Sequence, residues 1–262
     1  MKTLGRSYML VVFMCLYLPI AYLIFYSFNS GGTMTSFDGF TLEHYQSVFT
    51  DRRLIVILLN TVAVALISSG LATLIGIGGA IGLYNIRMKR LRQSLLNLNN
   101  VMIVSPDVII GASLLILFTV MGISLGAFSV ILAHIAFSVP IVVLMILPKL
   151  YEMNTSYLDA ARDLGASSFD VLWRVIIPHI KPGILAGFFM ALTYSLDDFA
   201  VTFFVTGGGF SVLSVEIYAM ARRGISLEIN AISALVFLVV LMIALGYYFI
   251  TSRASVKRGG IT

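Results

Sequence analysis

A bundle of membrane-spanning α-helices is the fold class this sequence predicts, on three observations. Apolar residues make up 59% of the 262 and charged residues only 11%, with a mean hydropathy of +1.00, whereas a soluble domain carries about 25% charged residues. The apolar residues run on without the roughly ten-residue alternation of a membrane β-barrel. Lys and Arg gather in alternate connections between the runs, the bias that orients membrane helices.

A hydrocarbon core about 30 Å thick takes about 20 helical residues to cross. Six stretches reach that length: residues 7–28, 54–84, 95–121, 127–147, 183–205 and 231–251. The first follows Lys2 and Arg6 as a secretory signal would. Its apolar core exceeds that of a cleaved signal and no small-x-small site follows, so it reads as an uncleaved anchor. Cys15 within it has no disulfide partner in the chain and reads as a small packing residue.

The second stretch is longer than a perpendicular crossing needs, which predicts tilt or projection beyond the lipid. Its Gly78 and Gly82 form a GxxxG pair, predicting close approach of another helix. The third is broken at Pro106-Asp107, and residues 122–126 then form a tight hairpin into the fourth. His134 in the fourth reads as an interhelical hydrogen-bonding residue.

With the N-terminus inside, the inner segments hold Lys2, Arg6, Arg87, Lys89, Arg90, Arg92, Lys149, Arg162, Arg174, Lys181, Arg253, Lys257 and Arg258. The outer segments hold Arg52, Arg53, Arg222 and Arg223. This predicts a multi-pass protein of the cell membrane with both termini cytoplasmic, organised as a single transmembrane domain over residues 1–262. The pI of about 9.4 is then an orientation signal and does not point to nucleic acid.

Residues 149–181 are the exception to the greasy pattern. Tyr157, Leu158, Ala161 and Leu164 recur at helical spacing, Gly165 can turn the chain with a positive φ, and Phe169, Leu172, Trp173 and Ile176 resume the pattern up to Pro178. A short helix, a turn and a second helix ending at Pro178 are expected.

Asp159-Ala160-Ala161, three residues, Gly165, nine residues, Val175, one residue and Ile177-Pro178 resemble the EAA motif of ABC importer permease subunits. That pattern reads Glu-Ala-Ala, three residues, Gly, nine residues, Ile, one residue, Leu-Pro. Spacing is kept, and the three changes conserve charge or apolar character. Residues 40–45, Phe-Thr-Leu-Glu-His-Tyr, also resemble the family's GxTLxxY segment. Residues 105–108, 196–198, 204–207 and 217–231 are most similar to its spermidine/putrescine branch.

The resemblance implies a six-helix type I ABC importer permease with a permease core of about residues 55–251 and a cytoplasmic coupling loop at 149–181. Asp159, Ala160, Ala161, Arg162, Gly165 and Pro178 would belong to the surface that meets an ATPase. It further implies a PotB-like second permease, a PotA-like ATPase dimer carrying ATP and Mg, and a PotD-like substrate-binding protein.

Asp107, Asp197 and Asp198 fall at membrane depth, where a charge costs several kcal/mol and commonly marks a pathway. No Lys or Arg lies in those runs to neutralise them. A polyamine would supply the missing positive charge, with Tyr194, Phe199 and Phe203 as cation–π surfaces. Another cation or small solute through the same fold, or an ATP-independent channel or ion-coupled transporter, are the alternatives. The chain has no Walker A sequence, HExxH site, GxSxG elbow or Cys cluster. It is therefore expected to be non-catalytic and to bind no cofactor or metal of its own.

Overall fold

The computed structural model describes residues 2–223, 227–238 and 241–242. In chain order the helices are α1 (Lys2–Tyr26), α2 (Glu43–Thr50), α3 (Arg52–Asn85), α4 (Lys89–Val104), α5 (Asp107–Val120) and α6 (Ala127–Tyr151). Then come α7 (Ser156–Asp163), α8 (Ser168–Val171), a π-helical turn (Leu172–Ile176), α9 (Ile177–Asp197), α10 (Ala200–Val205), α11 (Leu213–Arg223) and α12 (Leu227–Leu238).

Among the described residues, four helical stretches are long and apolar enough to cross a membrane: Gly5–Tyr26, Arg52–Asn85, Ala127–Tyr151 and Ser168–Asp197. A fifth is counted if α4 and α5, bent by 105° at Ser105-Pro106, act as one broken span. Of the expected sixth, residues 231–251, about half lies outside the described residues; its start falls in α12.

Two expected boundaries move. The fifth stretch begins at Ser168, well before residue 183, because the helix does not end at Pro178. Proline lacks an N–H and its ring crowds the carbonyl four residues back. Here the turn just ahead of it is widened, with the Ile177 N–H reaching the Leu172 carbonyl five residues back. The same stretch does not run unbroken to residue 205: α9 stops at Asp197 and α10 starts at Ala200.

The chain forms two compact units, Ile57–Glu216, and Met1–Val56 with Ile217–Thr262. In the latter, α1 presents apolar side chains outward along its length, and Cys15 is exposed on it, not packed as expected. The link from α1 to α2 is knitted by buried Asn29. Its amide donates to the carbonyls of Thr33 (2.9 Å) and Ser36 (2.8 Å), and its side-chain oxygen accepts from the Asp38 N–H (2.8 Å). His44 meets the Asn29 carbonyl at 2.9 Å and the Tyr45 hydroxyl meets Ser27 at 2.6 Å. These two residues of the GxTLxxY-like segment are thus pinned by buried polar groups.

In Ile57–Glu216, α6 is the central helix. Gly183 and Gly187, one turn apart on α9, let that helix press on α6: a Cβ on Gly183 would lie 2.8 Å from the Met145 carbonyl, and one on Gly187 3.2 Å from Val142 Cα. From α3, a Cβ on Gly76 would lie 2.5 Å from Val142 Cγ1. Val142 is fully buried between Gly76 and Gly187. The expected pair, Gly78 and Gly82, has no atom within 4 Å of an added Cβ. Small residues permit close approach without requiring it, and α3 turns Gly76 and Gly79, not Gly78 and Gly82, to its neighbour.

Leucine at Gly187 should overpack this contact by about 1–3 kcal/mol. Thermal unfolding of the detergent-purified protein is expected to show a lowered midpoint for Gly187→Leu. Gly78→Leu should stay within about 0.5 kcal/mol of the parent.

Candidate functional site

The polar loop folds as a helix, a glycine turn and a second helix. α7 ends in a Schellman motif: the Ala166 N–H bonds the Ala161 carbonyl (3.0 Å) and the Gly165 N–H bonds the Arg162 carbonyl (2.8 Å). Gly165 supplies the left-handed residue this closure needs, with φ +79°. Ser167 then caps α8, accepting from the Asp170 N–H at 3.2 Å. Asp159 and Arg162 pair at 3.9 Å on the exposed side of α7. Ala160 is exposed and Ala161 half-buried. Leu164 is 88% exposed and Tyr157 is also exposed. Tyr157 on α7 and Leu164 just past its end therefore point away from the chain, while Leu158 and Ala161 are half-buried. Pro178 sits apart from this turn, inside the continuous helix.

The second feature is a cavity of about 530 Å³. The α4–α5 break contributes Met102, Ile103, Asp107 and Ile110, and α6 contributes Phe137 and Ile141. The end of α9 contributes Thr193, Tyr194 and Asp197, and the α9–α10 break contributes Asp198, Phe199, Ala200 and Val201. Asp107 stands in the first turn of α5, where a carboxylate is favoured by the helix dipole. Gly111 lets α5 close on α10, since a Cβ there would lie 3.0 Å from Val201 Cα.

The two neighbouring aspartates have different environments. Asp197 is exposed. Asp198 has a side chain only 8% exposed and bonded on every side. Its carboxylate accepts from the N–H groups of Val201 (3.2 Å) and Thr202 (2.8 Å) and from the Thr202 hydroxyl (2.7 Å). Its backbone N–H bonds the Tyr194 carbonyl, and its carbonyl accepts from the Ser214 hydroxyl (2.6 Å). Asp198 thus closes α9 and caps α10, which is how the chain breaks a helix without stranding polar backbone groups in an apolar setting.

Behind that cap lies a buried polar chain. His134 Nε2 meets the Thr202 hydroxyl at 2.8 Å and lies 3.6 Å from the Asp198 carboxylate. His134 Nδ1 meets Ser195 Oγ at 2.6 Å, and Ser195 meets Ser68 on α3 at 3.1 Å. The interhelical role expected of His134 is what its two bonds provide.

Of the six residues expected along a substrate path, Asp107, Tyr194, Asp197, Asp198 and Phe199 border this one cavity. Phe203 does not; it packs against Phe199 (ring centroids 5.5 Å) and Phe204 (5.8 Å), because the break at Asp198 rotates α10 relative to α9. Sequence reading missed Ser195, Thr202 and Ser214. Small hydroxyl residues are common in membrane helices, and only their positions beside a break mark these. Among the described residues no three His, Cys, Asp or Glu side chains converge on a metal-sized site.

Residues 72–253 match the family described as "Binding-protein-dependent transport system inner membrane component". The chain is 36% identical over 242 residues to the spermidine/putrescine transport system permease protein PotC of Haemophilus influenzae, covering 92% of this chain and 93% of that one. It is 30% identical over 256 residues to the putrescine transport system permease protein PotI of Escherichia coli strain K12, covering 95% and 91%. Its fold is similar to a chain in the crystal structure of a bacterial ABC transporter that imports the acidic polysaccharide alginate. The TM-score is 0.66 at 15% identity, over 96% of this chain and 95% of that chain.

A small cationic thiol reagent should separate the three aspartates. In a Cys15→Ser background, cysteines at Asp107 and Asp197 are expected to label rapidly. One at Asp198 should label slowly, as read by mass shift of the purified protein.

Proposed function

The chain belongs to the family of binding-protein-dependent transport system inner membrane components, and on that premise we propose that it is the permease subunit of an ATP-driven importer of polyamines. The observation that carries the cargo is the cavity: Asp107 and Asp197 reach it beside Tyr194 and Phe199, and its described lining includes no Lys or Arg. Carboxylates at membrane depth are costly when unpaired. An alkyl chain bearing several ammonium groups offsets that cost at both acids, and aromatic faces favour its passage. The PotC and PotI relatives, named for spermidine and putrescine transport, support the same cargo.

In this reading six spans cross the cell membrane with both termini and the 149–181 loop in the cytoplasm. A PotB-like permease supplies the other half of the path, and a PotD-like binding protein delivers cargo to the outer face. A PotA-like ATPase dimer, holding ATP and Mg, receives the α7 turn in a groove. Leu164 and Tyr157 are its apolar anchors, while Asp159 and Arg162 provide charged contacts. Ala160 and Ala161 keep α7 slim for insertion. The stretch from Ser168 to Asp197 is one helix, so displacement of the loop is carried directly to Tyr194 and Asp197 at its far end. ATP-driven closure opens the path outward, and hydrolysis returns it inward. The permease itself performs no chemistry.

Labelled spermidine and putrescine uptake should be measured in cells lacking their own polyamine importer, with the whole transporter restored. ATP-dependent uptake is expected. Gly165→Trp should abolish it with the protein still inserted, although the chain itself leaves open space at Gly165. Asp107→Asn and Asp197→Asn should each raise the uptake KM at least about tenfold, the loss of a charge-assisted contact. Unchanged kinetics in both would overturn the cation path, and uptake by Gly165→Trp would overturn the coupling role.

A further inference from the structure

The buried polar chain straddles the α9–α10 break. Ser195 lies in the last turn of α9, Thr202 in the first turn of α10, and Asp198 between them. The ring of His134, on α6, meets Ser195 through one nitrogen and Thr202 through the other, at 2.6 and 2.8 Å. One imidazole therefore bridges both sides of the interruption. It is 1% exposed, so no solvent competes for either bond.

Proton accounting gives the bridge a direction. The Thr202 hydroxyl donates to the Asp198 carboxylate at 2.7 Å, which leaves its oxygen to accept from the ring. His134 Nε2 therefore carries a proton and donates to Thr202. The ring orients Thr202, and Thr202, through its hydroxyl and its N–H, holds the Asp198 carboxylate in its capping position. Asp197, the next residue back, is turned to the cavity by the same geometry, because a capped Asp198 with extended backbone (ψ 119°) ends α9 at Asp197.

We propose that His134 is a positioning residue for the translocation path: by stapling Ser195 to Thr202 across the α9–α10 break it keeps Asp198 as a cap and Asp197 facing the cavity opposite the α4–α5 break that carries Asp107. The proposal rests on the reading of that cavity as the path for a polycation. It adds that Asp197 and Asp198 have separate duties. Asp197 meets the cargo's ammonium group, and Asp198 is consumed by three protein donors. His134 touches no cargo.

Two readouts test this, one independent of transport. In a Cys15→Ser, Asp197→Cys protein, labelling by a small cationic thiol reagent reports whether position 197 faces the cavity. Adding His134→Leu, which removes both ring bonds, is expected to slow that labelling about tenfold. His134→Gln keeps a donor for Thr202 and an acceptor for Ser195 on one flat group and should preserve it. If His134→Leu does not assemble, Thr202→Val serves in its place with the same expectation: it is nearly isosteric, its side chain bonds neither His134 nor Asp198, and only the backbone N–H still reaches the carboxylate.

For uptake, with Asp197 restored, the Leu or Val variant should raise the spermidine KM about tenfold with a smaller change in maximal rate. The Gln variant should restore it. A purely structural role would lower the amount of assembled transporter and the maximal rate while leaving KM and labelling alone. Unchanged labelling in both the Leu and Val variants would overturn the proposal even where Asp107→Asn and Asp197→Asn impair uptake. Normal uptake in those two aspartate variants would overturn the path reading on which it rests.

Discussion

Everything in the Ile57–Glu216 unit is built around the seating of α6 between α3 and α9. In a membrane, apolar side chains gain nothing by leaving lipid for protein, so helices adhere through close van der Waals packing and interhelical hydrogen bonds. Val142 provides the first, held between Gly76 and Gly187 with no exposed surface. His134, eight residues and roughly two turns away on the same helix, provides the second through Ser195 and Thr202. The glycines set the spacing at which those hydroxyls can reach the ring. Were α9 held farther out by a larger residue at 187, the bonds of 2.6 and 2.8 Å would not form.

That close seating permits two helices to be broken beside the cavity. A break in a spanning helix frees backbone groups that lipid cannot satisfy. At the first, Pro106 has no N–H to lose, and its carbonyl accepts from Ile109 (2.9 Å) and Ile110 (3.2 Å) as α5 begins. At the second, Asp198 takes the opening N–H groups of α10 on its carboxylate, and Ser214 donates to its carbonyl. Both devices place an acid at the start of a helix. Only Asp107 and Asp197 remain for a ligand, one from each break. On the reading proposed for this cavity, a recognition site for a polycation would follow from how the breaks are closed. The π-helical turn ahead of Pro178 acts in the opposite sense, keeping Ser168–Asp197 continuous so that the polar loop and the cavity lie on one rod.

Much of this could be read before any coordinates. Composition and run length identify a helical membrane protein, and the break at Pro106-Asp107 is visible as a proline in an apolar run. The Gly165 turn is equally plain: Asp159-Ala160-Ala161 with a glycine four positions on from Ala161 needs a left-handed residue, which glycine alone adopts freely. The family follows from the same local spacing. Such features depend on neighbours in sequence, and local sterics and hydrogen bonding decide them.

The rest depended on partners far along the chain. A GxxxG pair reads the same at Gly78/Gly82 and at Gly183/Gly187, yet only the second meets another backbone, because the rotation of each helix is set by all its contacts together. Asp197 and Asp198 are indistinguishable as letters. Both border the cavity, but one becomes a cap and the other stays exposed because Thr202, Ser214 and His134, four to sixty-four residues away from Asp198, converge on one of them. The sequence by itself determined a helical membrane permease with an EAA-like glycine turn and acids within apolar runs, since run length, local turn chemistry and motif spacing suffice for those. Only the tertiary structure decided which glycines pack, which acid is free and what histidine holds, since a hydrogen bond of 2.6–2.8 Å depends on how separate helices are rotated and spaced against one another.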